Sequence, residues 1–334
     1  MTAGRFRLMR LLRLTSHAHC RARRQALAGC AAAVALACAA PLRVRAQTRV
    51  PRRVVVMNWE LTETLLALGH APVGIPLPNW YTSTIVAPPL PRGVVDTGLL
   101  YQPNFEMLLA LKPDLLIVTP SHASILPALK RIAPTLTLGA YMSDPHPYAR
   151  LCEETRTMAS AFDAGIRAHA LIDATAQTTQ AVRQRLAGRP EPTRAPVIVA
   201  DAIDDRHLRV YAAGSLFDGM LKSIGVVNAA NPAASADGAT RRWKTNAAGS
   251  ALVPLQRLTE VAHASILLVG PLRPDVRAAL KANPLWHALP AVRERRVAAL
   301  PVIAPYGGLV SMQRFATAVE AALETIATGG GGLA

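Results

Sequence analysis

The chain has 334 residues, of which 51% are hydrophobic and 4% aromatic, and it carries a formal net charge of +16. This length and apolar content suffice for two domains or one large one, and they exclude wholesale disorder. No uninterrupted apolar run reaches the roughly 18 residues of a membrane-spanning helix, so an integral membrane protein is not expected.

The positive charge is concentrated in the first 46 residues, which contain nine Arg and no acidic residue. The rest of the chain has 28 basic and 21 acidic residues, a net charge of +7, which argues against a nucleic-acid-binding surface. Three of the four Cys also lie in the first 46 residues, so Cys152 has no partner for a disulfide in the remainder.

Residues 1–46 have the features of an export signal. Arg23-Arg24 precede a mild apolar run from about Ala26 to Ala40, and Val44-Arg45-Ala46 fits a small-residue cleavage site. The paired arginines predict a signal of the twin-arginine type, with an ordinary secretory signal as the alternative. A lipid anchor on Cys30 or Cys38 is a less favoured alternative. The mature protein is therefore expected to be exported.

Residues 47–143 alternate strand and helix signals. Apolar runs predict strands at 54–57, 73–75, 115–118 and 135–138, with helices near 61–68, 104–111 and 126–132. This alternation predicts a mainly parallel sheet with helices on both faces.

Residues 144–190 are predicted to form a bridging helix. The segment 148–186 contains no Pro, and its apolar residues recur at helical intervals. Gly165 weakens this pattern without having to break it. A single helix of about 40 residues exceeds the usual length, and coiled-coil heptads are not sustained, so the helix is expected to connect two lobes.

Residues 191–327 repeat the α/β pattern. Strands are predicted at 197–200, 208–211, 266–269 and 297–300, and helices at 215–224, 255–261, 275–282 and 311–326. A polar loop covers 228–250, and residues 328–334 are expected to be a flexible tail. The predicted fold is α/β, with two Rossmann-like lobes joined by one long rigid helix.

The sequence contains no catalytic constellation. It has no GxSxG, GxGxxG, GxxxxGK[ST] or HExxH motif, and the seven His beyond residue 46 are isolated. Asp201, Asp204 and Asp205 follow a strand, but Arg206 comes next, so a solvated turn is favoured over a cation site. No catalytic, cofactor or metal residue is predicted. A binding protein is favoured, with an exported metal-dependent enzyme as the alternative.

Several stretches of the chain resemble a known family. These are VVVMNWELTETLLALG (54–69), PPLPRGVVDTGLLYQPNFE (88–106), LKPDLLIV (111–118) and RIAP (131–134), followed by SLF (215–217), PLW (284–286) and YGG (306–308). They are similar to periplasmic siderophore-binding proteins of ABC importers, especially the ferric-hydroxamate-binding members. The resemblance implies the class III fold, two lobes bridged by a rigid helix.

The resemblance also implies a function. It indicates a periplasmic monomer that carries a ferric siderophore, without altering it, to an inner-membrane permease with its ATPase. No cofactor and no nucleic acid are involved. Haem, cobalamin or another metal chelate are the alternative cargoes.

The ligand is expected between the lobes, at the carboxyl ends of the strands. A ferric trihydroxamate is round and partly apolar, so aromatic walls with a few hydrogen-bonding groups suit it. The candidate ligand-binding residues are Trp80, Tyr81, Leu100, Tyr101, His122, Arg241, Arg242, Trp243 and Tyr306.

Three positions depart from the hydroxamate-binding relatives. Leu100 stands in place of an Arg, His122 in place of a Tyr, and Ala304 in place of an aromatic residue. Loss of the Arg removes a charge-assisted hydrogen bond of about 1.5–3 kcal/mol. Arg241 and Arg242 are candidates to replace this charge. Both a hydroxamate and a mixed or carboxylate siderophore are therefore kept as candidates.

The resemblance further implies that one acidic residue on each lobe docks to Arg pockets of the permease. Glu63 matches the first position, and Asp218 is the acid nearest to the second.

Overall fold

Five short parallel strands form the sheet of the N-terminal lobe. The computed structural model describes residues 50–189, 195–231 and 243–333. The strands are β1 Val54–Val56, β2 Gly74–Ile75, β3 Val95–Asp96, β4 Leu115–Val118 and β5 Thr135–Thr137, in the order β3-β2-β1-β4-β5. Strands β1 and β4 are continuous apolar runs because both faces of the sheet are covered. Val54 and Val56 pack into one core cluster and Val55 into another.

Short helices follow the strands of this lobe. They are α1 Trp59–Ala67, α2 Pro78–Thr84, α3 Phe105–Leu111 and α4 Leu126–Lys130, with 3₁₀ turns at Pro120–His122 and Ala140–Ser143. The Asn58 side chain accepts a hydrogen bond from the Leu61 N–H at 2.8 Å and so caps α1 directly after β1. This cap determines where the first residues of α1 lie.

The connection between the lobes consists of two helices, α5 Pro147–Ala161 and α6 Gly165–Ala187. The prediction of one unbroken helix over residues 144–190 is therefore wrong, because the segment contains two helices. Asp163 adopts φ 52°, and the Ala164 N–H donates to the Ala159 carbonyl at 2.9 Å. This pattern is a Schellman motif, which ends α5 before Gly165 begins α6.

Helix α6 spans both lobes. Near its start, the Arg167 guanidinium donates to the Leu68 carbonyl of the N-terminal lobe at 2.9 Å. Near its end, Arg185 forms a two-pronged ion pair with Glu320 of the C-terminal lobe, at 2.6 and 2.8 Å. The helix therefore bridges the lobes as predicted.

The second sheet is mixed rather than wholly parallel. Its strands are β6 Val197–Ala202, β7 His207–Tyr211, β8 Ser250–Pro254, β9 Ser265–Gly270 and β10 Val297–Val302, in the order β10-β9-β6-β7-β8. β10, β9 and β6 are parallel, whereas β7 is antiparallel to both β6 and β8. Strand β8 lies at the end of the segment predicted as a polar loop.

The helices of the C-terminal lobe pack around this sheet. They are α7 Leu216–Ser223, α8 Pro274–Ala282, α9 Pro284–Ala288, α10 Pro290–Arg293 and α11 Leu309–Ala327, with a 3₁₀ segment at Leu255–Val261. The tail expected to be flexible lies along β10, since the Gly332 N–H donates to the Val297 carbonyl at 2.7 Å. Within the described ranges, no helix has the length and apolar character that a membrane crossing requires.

One hydrophobic core runs through both lobes and the connecting helices. Leu65 of α1, Met158 of α5 and Phe217 of α7 belong to the same buried cluster. Phe217 stacks on Phe315 of α11 with ring centroids 4.1 Å apart. The two lobes are therefore packed against each other over part of their surface, in addition to being connected by α6.

Candidate functional site

A cavity of about 270 Å³ lies between the lobes, at the ends of three strands of the C-terminal sheet and at the start of α1 of the N-terminal lobe. Its lining consists of Trp59, Glu60, Thr84 and Ile85 from the N-terminal lobe and of Asp201, Ala202, Arg209, 269–271 and 302–305 from the C-terminal lobe. β6, β9 and β10 all end in this lining. The position agrees with a cleft at the carboxyl ends of the strands.

Two tryptophans form the aromatic part of the site. Trp59 lies in the first turn of α1, and its indole N–H donates to the Pro76 carbonyl at 2.7 Å. Trp80 of α2 stacks on Trp59, with centroids 5.8 Å apart and planes 17° from parallel. Trp80 is 57% exposed, so this pair offers ring surface to a ligand.

Three charged side chains line the cavity. Asp201, at the end of β6, accepts a hydrogen bond from the Tyr211 hydroxyl at 2.5 Å and lies 3.6 Å from the Arg209 guanidinium. Glu60, from α1 of the N-terminal lobe, also lines the cavity. Burial raises the pKa of Asp201 and of Glu60 above their usual values, although hydrogen bonds act in the other direction.

Seven of the predicted ligand-binding residues are described, and none of them lines the cavity itself. Trp80 is adjacent to it through Trp59. Tyr81 is fully buried, and its hydroxyl donates to the Pro88 carbonyl at 2.7 Å. Tyr81 therefore holds the Pro-rich loop in place.

His122, like Tyr81, has a structural role in this lobe. Its Nε2 lies 2.8 Å from the Leu100 carbonyl, and its Nδ1 lies 2.9 Å from the Thr119 hydroxyl. Since a carbonyl only accepts, Nε2 carries the proton and Nδ1 is the acceptor. His122 is 1% exposed, whereas Tyr101, which packs beside it, is 60% exposed. Of Leu100, Tyr101 and His122, Tyr101 is the most exposed, and Leu100 is half-buried.

The predicted ligand-binding residues of the C-terminal lobe differ in their placement. Trp243 is buried in the core of this lobe, and its indole N–H donates to Glu260 at 3.1 Å. Tyr306 is half-buried next to the lining segment 302–305, and its carbonyl accepts from the Tyr141 hydroxyl at 2.8 Å. Arg241 and Arg242 lie outside the described residues.

Glu63, the predicted docking residue, is fully buried at the contact between the lobes. Its carboxylate accepts from the Ser311 N–H at 2.8 Å and from the Ser311 hydroxyl at 2.6 Å, and the Gly308 N–H adds a further bond. The carboxylate thus satisfies free N–H groups at the start of α11. As placed, Glu63 has no exposed atom with which to contact a permease.

Asp218 is also buried, with 2% of its surface exposed. Its carboxylate accepts from the side-chain amides of Asn228 at 3.0 Å and Asn231 at 2.7 Å, and it pairs with Lys222 at 2.6 Å. These contacts attach α7 to the segment that follows it, which is a structural role.

A larger cavity of about 720 Å³ lies within the C-terminal lobe, between β10 and α11. Its lining comes from one lobe and is rich in alanine, with Arg277 and Arg314 as its charged residues. It contains no aromatic side chain, so the interlobe cavity is the better candidate for an organic ligand. Among the described residues there is no group of three or more potential metal ligands.

The sequence analysis missed Trp59, Glu60 and Arg209 as site residues. Trp59 and Glu60 come shortly after β1, at the edge where ligands bind in α/β folds, and this position was the available signal. Arg209 is exposed between buried Leu208 and Val210 in β7, a strand alternation that places it on the open face.

A family model described as periplasmic binding protein matches residues 54–304. The chain belongs to this family. The iron(3+)-hydroxamate-binding protein FhuD of Escherichia coli is 30% identical over 274 residues, which cover 82% of this chain and 87% of the relative. The Fe(3+)-citrate-binding protein YfmC of Bacillus subtilis is 24% identical over 248 residues, or 74% and 72% of the two chains.

A solved structure with the same fold carries a ligand. The siderophore-binding protein FhuD of Vibrio cholerae, with Fe3+-Desferal bound, superposes with a TM-score of 0.72 at 25% identity and covers 82% of this chain and 98% of its own. The predicted two-lobe α/β fold is therefore confirmed. Family membership makes this chain a substrate-binding protein rather than an enzyme. Relatives are named as periplasmic proteins or as lipoproteins.

Proposed function

We propose that this protein binds a ferric siderophore in the interlobe cavity and delivers it to an inner-membrane ABC permease with its ATPase. The likeness to an iron(3+)-hydroxamate-binding protein over 82% of the chain carries this proposal. The cavity supports it, because strand ends of the C-terminal lobe and Trp59, which stacks on Trp80, surround it. In this proposal, residues 1–46 direct the chain to the periplasm, where the protein encounters the ferric siderophore.

The lining favours a hydroxamate complex over a strongly anionic one. A ferric trihydroxamate is neutral, whereas a ferric tricatecholate carries about three negative charges. Glu60 and Asp201 both line the cavity, and bringing further negative charge beside half-buried carboxylates is costly. Arg209 supplies a guanidinium that can donate to oxygens around the iron, at a position different from Leu100.

Docking to the permease requires residues on the outer surface of each lobe. Because Glu63 and Asp218 are buried by contacts within the protein, we place the docking contacts on other residues. The permease can therefore be contacted without breaking either buried carboxylate network.

The test is a fluorescence titration of the protein without residues 1–46. Ferric complexes quench nearby tryptophans, so a ferric trihydroxamate should give saturable quenching that iron-free ligand does not. Trp59→Phe should reduce the quenching amplitude, whereas Trp243→Phe, in the core of the C-terminal lobe, should retain most of it. Absence of saturable quenching by hydroxamate, citrate and catecholate complexes would refute the proposal. A Soret shift with haem would favour haem as cargo.

A further inference from the structure

We propose that Glu60, Asp201 and Trp59 form a subsite for a cationic amine carried by the siderophore. This inference rests on the proposed function and specifies its substrate class: a ferric hydroxamate whose chain ends in a free ammonium group. Three observations on the cavity support it.

The first observation is the placement of the carboxylates. Glu60 comes from the first turn of α1 and Asp201 from the end of β6, so the two acids enter one cavity from opposite lobes. A group held between the lobes can reach both. An ammonium has three donors and can bind two carboxylates at once.

The second observation is the charge balance of the lining. Among the described residues of this lining, Arg209 is the only cationic side chain, and it already lies 3.6 Å from Asp201. Among the described residues, no cationic group lies within ion-pair distance of Glu60. Two acids and one base give the described part of the lining a formal excess of one negative charge. Burial raises the pKa of both acids, as expected for carboxylates that have lost part of their hydration.

The third observation is the aromatic surface next to these acids. Trp59 directly precedes Glu60, and its indole N–H is already bonded to Pro76. Its remaining contribution to a ligand is ring surface, which attracts a cation. Ile85, Ala304 and Pro305 line the same cavity and provide apolar contacts for the methylene arm that carries the amine.

A pair of ligands tests this subsite directly. Fe3+-Desferal is a linear ferric trihydroxamate with a free terminal amine, and N-acetylation removes that charge without changing the iron centre. At pH 7.5, calorimetric or fluorescence titration should show that the wild-type protein binds the amine form at least about tenfold more tightly, as expected for a charge-assisted hydrogen bond.

Variants show which groups are responsible. Glu60→Gln should reduce the preference for the amine form, measured as the ratio of the two dissociation constants. Asp201→Asn should do the same, and Arg209→Gln should increase the preference, because it removes the competing cation. Glu153→Gln is the matched control, since this acid is exposed on α5 outside the cavity lining and should leave the preference unchanged.

Equal affinity of the wild-type protein for the two complexes would overturn the subsite and leave the proposed function intact. A preference that persists in both Glu60→Gln and Asp201→Asn would also overturn it. If neither complex binds, the subsite is overturned, whereas the proposed function fails only if the other ferric complexes of its own titration also do not bind. The wild-type comparison needs no variant, so it holds even if a substitution prevents folding.

Discussion

The buried contact between Glu63 and the start of α11 makes stability depend on pH. Burial raises the pKa of Glu63 from its usual 4.5 to about 7, in spite of the bonds from Ser311 and Gly308, and the nearby charge of Glu60 adds to the rise. In the folded state Glu63 therefore retains its proton at pH values where the unfolded chain has lost it. Its stabilising contribution is complete below pH 4.5 and is lost as the pH rises through 7.

The magnitude follows from the size of this rise. A pKa that moves from 4.5 to about 7, at about 1.4 kcal/mol per pH unit, corresponds to about 3 kcal/mol of unfolding free energy. Glu63→Gln keeps the size of the side chain and one acceptor oxygen but cannot ionise. At low pH, the free energy of unfolding of this variant should be about 1 kcal/mol lower than that of the wild type, because the Gln NH₂ group replaces one acceptor oxygen.

Urea unfolding from pH 4.5 to 8 measures this effect. The wild-type free energy of unfolding minus that of Glu63→Gln should fall by about 3 kcal/mol across this range. Glu153→Gln, which changes an exposed carboxylate, should show no such trend. A difference between wild type and Glu63→Gln that stays constant with pH would refute the reasoning.

Two further predictions concern cargo binding and domain motion. Trp80→Ala and Tyr306→Ala should each weaken cargo affinity by about tenfold, as for loss of an aromatic contact, and an unchanged affinity in both would place the cargo elsewhere. Thermal unfolding should show that Trp80→Ala leaves stability nearly unchanged, because Trp80 is 57% exposed. Small-angle scattering should show little compaction on ligand binding, since Arg314 donates to the Ile85 carbonyl at 3.0 Å and so adds to the contacts between the lobes. A large compaction would contradict the expectation that the lobes move little when the ligand binds.

The strands at the centre of each sheet were predictable from local sequence. β1, β4, β6 and β9 each contain a continuous apolar run, because both faces of each strand are buried. β8 was missed because its sequence, Ser-Ala-Leu-Val-Pro, combines a polar start with Pro, and it lies at the edge of the sheet. The break between α5 and α6 was missed because a left-handed Asp163 has no distinctive sequence signal.

The candidate site was less predictable than the fold. Residue type and loop position selected Tyr81, His122 and Trp243, yet all three point into the protein and hold loops or the core. Whether an aromatic side chain on a loop turns inward or outward depends on the space that distant segments leave. Glu63 shows the same dependence, since its partner Ser311 lies 248 positions away in the sequence.

The sequence by itself determined the α/β class, the two lobes and the edge at which a ligand binds, because apolar periodicity and strand-helix alternation are local properties. Tertiary structure decided which side chains meet at that edge. Glu60, Asp201 and Arg209 line one cavity only because α1 of one lobe faces β6 and β7 of the other. Their charge balance and the raised pKa values of Glu60 and Asp201 arise from that contact, since electrostatic energies depend on distances that exist only in the folded chain.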